Sequence, residues 1–242
     1  MTPADNQSPD ETIELIDYLK RFATAERFQK FQNAIRLRTR HLTIVLEDIY
    51  QPHNASAVLR TCDCFGIQDV HVIENRNKYE VNPDVALGAS KWLNLVKHNS
   101  LGDNSTSCIT KLKSQGYRIV ATSPHKNGFT PESLPLDQKT ALVFGTELEG
   151  LTQTAMDMAD DFIIIPMVGF TESLNISVSA AIFIHTLTNR LRSSGDSWQL
   201  SSNEQDQIML EWLKQSISKS DMIVRDFLEN RAITLAKAGN IV

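Results

Sequence analysis

Ile163-Ile-Ile-Pro166-Met-Val-Gly169-Phe-Thr-Glu-Ser173-Leu-Asn175-Ile-Ser-Val-Ser-Ala-Ala181 is the stretch from which the rest of the chain can be read. A buried strand stops at Pro166, passes Gly169, and meets Ser173 and Asn175 just before a helix rich in small residues. Such a loop offers carbonyls, amides and two short polar side chains to a ligand. Read alone, it is equally one more capped helix.

Upstream of this stretch, short apolar runs alternate with helical ones. Strands are expected at Leu42–Ile49, Asp69–Glu74, Arg118–Ser123, Thr140–Phe144 and Phe162–Met167. Asn54, after Pro52, is expected to cap a helix over Ala55–Phe65 that Gly66 ends, and Asn104 a helix that ends at Gly116. Helices are also expected over Leu151–Ala159 and Asn175–Arg192. Near-continuous apolar strands with helices between them predict an α/β fold, a parallel sheet with helices on both faces. The flanks read as helical extensions: one helix from about Asp10 to Ile35, and two over Asn203–Ser218 and Ser220–Ala238. The expected division is a basic arm over 1–41, the sheet domain over 42–192 and a helical extension over 193–242.

The 242 residues are 41% hydrophobic and 22% charged, an ordinary globular balance that leaves no room for collagen or a disulfide scaffold. The longest apolar run, Phe162–Phe170, is interrupted by Pro166 and falls short of the roughly 18 residues a membrane span needs. There is no basic-then-apolar leader, and the three cysteines are an odd count, so reduced thiols in the cytoplasm are expected. The net charge of −5 argues against coating nucleic acid with the whole surface. The charge is uneven, however. Residues 1–19 hold five acids and no base; residues 20–40 hold seven bases and one acid. On charge alone the basic stretch is a solvated helix face.

Two further stretches sit where a parallel sheet places ligands, at strand C-termini. Asn54-Ala-Ser-Ala-Val-Leu-Arg60-Thr-Cys puts a polar residue at a helix start and an arginine almost two turns later. Val143-Phe-Gly145-Thr-Glu147-Leu-Glu-Gly150 runs a strand into a glycine past which a ligand can approach the backbone. It has neither dinucleotide-fingerprint nor P-loop spacing. Singly, these are a capped helix with a surface arginine and a strand-to-helix turn.

Together and in order, the three stretches resemble the motifs N-x-x-A-x-x-R-T, G-x-E-x-x-G and I-P-M-x-G-x-x-x-S-L-N-V-S-V-A of the SpoU/TrmH-type RNA 2′-O-methyltransferases of the SPOUT superfamily. Ile176 and Ser179 are conservative departures. The resemblance spans about residues 42–192. It implies a trefoil knot in the catalytic domain, an exception to the rule against threaded chains, and a homodimer with its active site at the subunit interface. It implies S-adenosylmethionine as cofactor, held largely by backbone at Thr122, Gly145, Ile165, Met167 and Leu174. The motif-one arginine, Arg60, then handles the ribose 2′-hydroxyl. A free guanidinium has a pKa above about 12 and is a poor base, so two roles stay open: binding the ribose and phosphate while stabilising alkoxide charge, or acting as a base once deprotonated in the complex. Asn54 is expected to orient Arg60 and the ribose, Glu147 to fix its loop, and Ser173 and Asn175 to hold the arginine and cofactor side. No metal is expected. Cys62 and Cys64 diverge on a helix, and they and Cys108 read as small core residues; the six histidines form no ligand pattern in sequence.

The flanks bear on the RNA. A helical basic arm and a two-helix tail resemble the layout of family members that methylate guanosine 18 in the D-loop of tRNA. On that basis Arg36, Arg38 and Arg40 are expected to contact phosphate. The tail holds seven bases and seven acids from Asn189 onward and adds no basic cluster. A ribosomal RNA methyltransferase of the same family and a non-catalytic RNA-binding dimer are the alternatives.

Overall fold

The computed structural model describes residues 9–80, 83–86, 88–195 and 198–239, without the side chains of 83, 84 and 234–239. The chain divides into two compact units, Arg38–Gln199 and the residues up to Leu37 with those from Leu200 onward.

Arg38–Gln199 is built on a sheet of six parallel strands: β1 (Leu42–Glu47), β2 (Asp69–Ile73), β3 (Asn94–His98), β4 (Arg118–Thr122), β5 (Thr140–Phe144) and β6 (Asp161–Ile163). Their spatial order is β3-β2-β1-β5-β4-β6. β1 and β5 are buried at every position, as central strands covered on both faces must be. α3 (Pro52–Phe65) and α7 (Ile176–Ser193) cover one face, where Leu42, Ile44 and Leu46 of β1 meet Val58, Leu59, Ala180, Phe183 and Leu187. α5 (Asn104–Ser114) and α6 (Gln153–Met158) cover the other, where Val45, Ile73, Ile119 and Val143 meet Cys108, Ile109, Leu112 and Ala155. α4 (Pro83–Ala86) is a single turn between β2 and β3.

Residues 38–41 and 198–199 belong with this sheet. Thr39 N–H donates to Gly66 O, Thr39 O accepts from Gln68 N–H, and Thr39 Oγ1 donates to Trp198 O at 2.6 Å. The division read from sequence differs accordingly, and the two flanks make one unit. There, α8 (Ser202–Ser216) packs on α1 (Pro9–Leu19) and α2 (Ala25–Ile35), with the Phe31 and Trp212 rings 5.5 Å apart. α9 (Ser220–Gly239) meets α1, where Arg231 pairs with Glu11 and Glu14.

Several expectations are corrected. The N-terminal helix is two helices: a 3-10 turn over Lys20–Phe22 ends the first, and the Thr24 side chain caps the second by accepting from Arg27 N–H. The apolar periodicity continues across the break and hides it. β3 has no counterpart among the expected strands, because an edge strand reading Asn-Leu-Val-Lys-His lacks a continuous apolar run. β6 is three residues long; beyond it Ile164 N–H turns to Phe129 O and the chain peels into the loop before α7. Asn104 is inside α5, whose cap is Asp103. Asn54 is inside α3, which begins at Pro52 after Gln51. Cys64 is exposed, unlike Cys62 and Cys108.

Arg38 and Arg40 do not stand out as phosphate contacts. Arg38 is 4% exposed and pairs with Asp63 while donating to Ile67 O. Arg40 Nε donates to Asp69 Oδ2 at 2.9 Å. Arg36, the C-cap of α2, is exposed.

Candidate active site

At the C-terminal ends of β4, β5 and β6 lies a cavity of about 400 Å³. This is where a parallel sheet binds ligands. All five residues expected to lie against the cofactor line it: Thr122, Gly145, Ile165, Met167 and Leu174. So do Glu147 and Ser173. Phe144, Ile163 and Phe183 give it an apolar wall. Thr122 Oγ1 donates to Val143 O at 2.9 Å, tying the ends of β4 and β5.

Gly145 is required for a reason internal to the chain. A Cβ there would lie 2.2 Å from the Gly150 carbonyl carbon and oxygen. The loop folds back on itself: Thr146 N–H donates to Gly150 O at 2.9 Å, and Gly150 N–H donates to Thr146 O at 3.1 Å. The expected reason, close approach of a ligand, gives way to close approach of Gly150. The fold-back turns Glu147 toward α3.

The three motifs meet through side chains. Asn54, 3% exposed, donates from Nδ2 to Glu147 Oε1 at 2.6 Å and to Gln51 Oε1 at 3.1 Å. Its Oδ1 accepts from Asn175 Nδ2 at 3.1 Å. Asn175 Oδ1 in turn accepts from Ser177 N–H at 2.8 Å and from its hydroxyl at 2.6 Å, capping α7. A carboxylate, two amides and a helix N-terminus thus form one chain of hydrogen bonds along the cavity's edge. Each amide is used in both senses, so the network admits one arrangement of the three loops.

Arg60 stands apart. It is exposed, lies outside the cavity lining, and makes no hydrogen bond or ion pair to the described residues. Six helical positions from Asn54 rotate it by roughly 600°, which leaves it about a third of a turn from Asn54's face. The expected Asn54–Arg60 contact is therefore absent within the chain. Two features were missed from sequence. Ser123, Pro124, His125 and Lys126 line the cavity, and their position directly after β4 was the signal. His71, His98 and Cys108 bring their donor atoms within 4.8 Å of one another, although 27 and 10 positions separate them in the chain.

The model of the SpoU rRNA Methylase family matches residues 41–185. The chain belongs to this family. A tRNA (guanosine(18)-2′-O)-methyltransferase of Borreliella burgdorferi is 42% identical to this SpoU methylase over 214 residues, 88% of this chain and 96% of that protein. The tRNA (guanosine(18)-2′-O)-methyltransferase of Escherichia coli K12 is 30% identical over 189 residues, 76% of this chain and 81% of that protein. The crystal structure of the A. aeolicus TrmH/SpoU tRNA modifying enzyme superposes with a TM-score of 0.71 at 27% identity, covering 80% of this chain and 98% of that one. The three stretches whose sequence resembles the family's motifs are the ones that the Glu147–Asn54–Asn175 chain joins.

Proposed function

We propose that the protein transfers a methyl group from S-adenosylmethionine to the 2′-hydroxyl of guanosine 18 in tRNA. The observation that carries this reading is the hydrogen-bonded link of Glu147, Asn54 and Asn175 beside a cavity lined by the five expected cofactor residues. The curated relatives, aligned over most of their length, support the choice of tRNA over ribosomal RNA.

The cavity fits the cofactor. Its volume admits a folded nucleoside with an amino-acid tail, and its apolar wall suits a purine. When bound, S-adenosylmethionine supplies an electrophilic methyl on a sulfonium. The protein's task is to align a weakly acidic alcohol and stabilise the charge it develops. Glu147, Asn54 and Asn175 keep the cavity loops in one geometry. Ser173 lines the cavity and is exposed to solvent.

Arg60 is assigned to binding the ribose and its phosphate, as a solvated guanidinium suits a phosphate better than proton abstraction. A homodimer belongs to this reading. Leu174, Val178 and Ile182 form an exposed apolar stripe on and before α7, with Val168 and Phe170 beside it in sequence. A second copy seated there would cover that stripe and bring Arg60 of one copy to the cavity of the other. The trefoil knot and a cytoplasmic setting are part of the same proposal, supported by the backbone likeness to the TrmH/SpoU enzyme and by three free thiols.

The test is methyl transfer from labelled S-adenosylmethionine to a tRNA transcript, to the same transcript with guanosine 18 replaced, and to ribosomal RNA. Label on the first alone is expected. Label only on ribosomal RNA, or on none, overturns the assignment.

A further inference from the structure

We propose that His71, His98 and Cys108 form a binding site for a d-block cation of the zinc and copper class, at the β2–β3 edge of the sheet. The three residues come from three elements. In register, Ile73 lies opposite His98 and Val96 opposite His71, so both histidines point to one face. That is the face α5 covers, and Cys108 faces inward from α5.

The geometry is already near what a metal needs. His71 Nδ1 and His98 Nε2 are 3.1 Å apart, with the rings stacked at 28°. The Cys108 Sγ lies within 4.8 Å of one ring nitrogen of each histidine. Metal–nitrogen bonds of about 2.0–2.1 Å and a metal–sulfur bond of about 2.3 Å in a tetrahedron place donor atoms roughly 3.3–3.6 Å apart. The nitrogen pair is close to that span, and the sulfur has at most about 1.5 Å to travel. Two imidazoles and a thiolate are borderline-soft donors, which favour zinc and copper over magnesium or calcium. His71 and Cys108 are buried and His98 is half-buried, so three protein ligands leave a fourth position toward the solvent side for water.

The protonation states divide the work. Burial, then His98 and Lys111, push His71 down to about 4, and burial and Lys111 lower His98 as well. Both rings are therefore neutral and hold lone pairs at pH 7. Burial pushes the Cys108 thiol up to about 12, with Lys111 opposing and Glu47 reinforcing. Metal binding must displace that proton, so affinity rises steeply with pH. The Lys111 ammonium weakens the site. None of the three residues lines the cavity, so the site is independent of methyl transfer.

The test uses the full-length chain carrying Cys64→Ser, which removes the exposed thiol, after treatment with a chelator. Titration with Co²⁺ should give one equivalent and a thiolate-to-cobalt charge-transfer band. Zn²⁺ should displace the cobalt and raise the melting temperature. His98→Ala and Cys108→Ser should each weaken binding by at least roughly tenfold, which is about 1.4 kcal/mol of binding free energy. Lys111→Gln should tighten it. His98 is half-buried on an edge strand, so its variant is the one to weigh if Cys108→Ser unfolds. Absence of the charge-transfer band, or zinc affinity unchanged in His98→Ala and Lys111→Gln, overturns the proposal and leaves a hydrogen-bonded histidine pair beside a core thiol.

Discussion

At Gly145 a Cβ would stand 2.2 Å from the Gly150 main chain, so any side chain must push the two arms of the loop apart. Gly145→Ala is expected to cost about 1–3 kcal/mol of stability. It should also weaken S-adenosylmethionine binding by roughly tenfold or more, read by calorimetry. Unchanged cofactor affinity would mean the loop adapts. Asn54 makes a sharper case. Asn54→Asp sets a second carboxylate beside Glu147, where the amide now donates at 2.6 Å. Turnover is expected to fall by about a hundredfold, the scale of an ångström's misplacement. Adding Glu147→Gln should recover part of the activity, because the pair can hydrogen-bond again. No recovery in the double variant would remove the pair from the loop-positioning role.

Among the elements, the basic stretch separates into members with different work. Arg38 and Arg40 are tied to Asp63 and Asp69. Lys20 and Lys30 have exposed acidic neighbours, Asp17 and Glu26, and such pairs are weak enough to give way to a phosphate. Arg21, Arg27 and Arg36, all exposed on or beside α1 and α2, are the better candidates for phosphate contact. Changing these three to Gln should weaken tRNA binding and reduce its salt slope by about 0.7–0.9 for each phosphate no longer neutralised. Arg38→Ala should instead lower stability by about 2–4 kcal/mol, read by denaturant melts, and leave the slope alone. The reverse pattern would show that the buried arginine, not the exposed three, meets RNA.

For the whole molecule, the separation of Arg60 from the Asn54 network gives a test of the proposed dimer. Arg60→Ala and Asn54→Asp copies should each retain about a hundredth or less of wild-type turnover alone. Mixed and allowed to exchange subunits, they should recover about a quarter of wild-type turnover, because half the dimers are mixed and half their sites hold neither change. No recovery would place Arg60 in the site of its own chain. The flanking unit is held by its own core: Tyr18 lies 5.0 Å from Phe227, and Phe31 lies 5.5 Å from Trp212. Residues from opposite ends of the sequence thus build one unit, which no local pattern announces.

The sequence by itself determined the layered parallel sheet, because β1, β5 and their covering helices carry apolar runs whose period and length admit little else. The resemblance of its motifs to the family's also named five of the cavity's lining residues, Thr122, Gly145, Ile165, Met167 and Leu174, though not Ser123, Pro124, His125 and Lys126. Thr140–Phe144 is a strand to the residue, and Gly66 ends α3 as expected, with φ 79°. The edge strand β3 stayed hidden because its residues are half solvated. The rest depended on contacts between distant segments. Asn54 looks like a helix cap until Glu147, 93 residues away, is placed beside it. Arg38 looks like an RNA contact until Asp63 meets it. His71, His98 and Cys108 have no spacing to recognise, because strand register and helix packing, not chain distance, bring their donor atoms together. Local pattern reports the free energy a segment gains from burial; the partner of a polar side chain is chosen only when the fold closes.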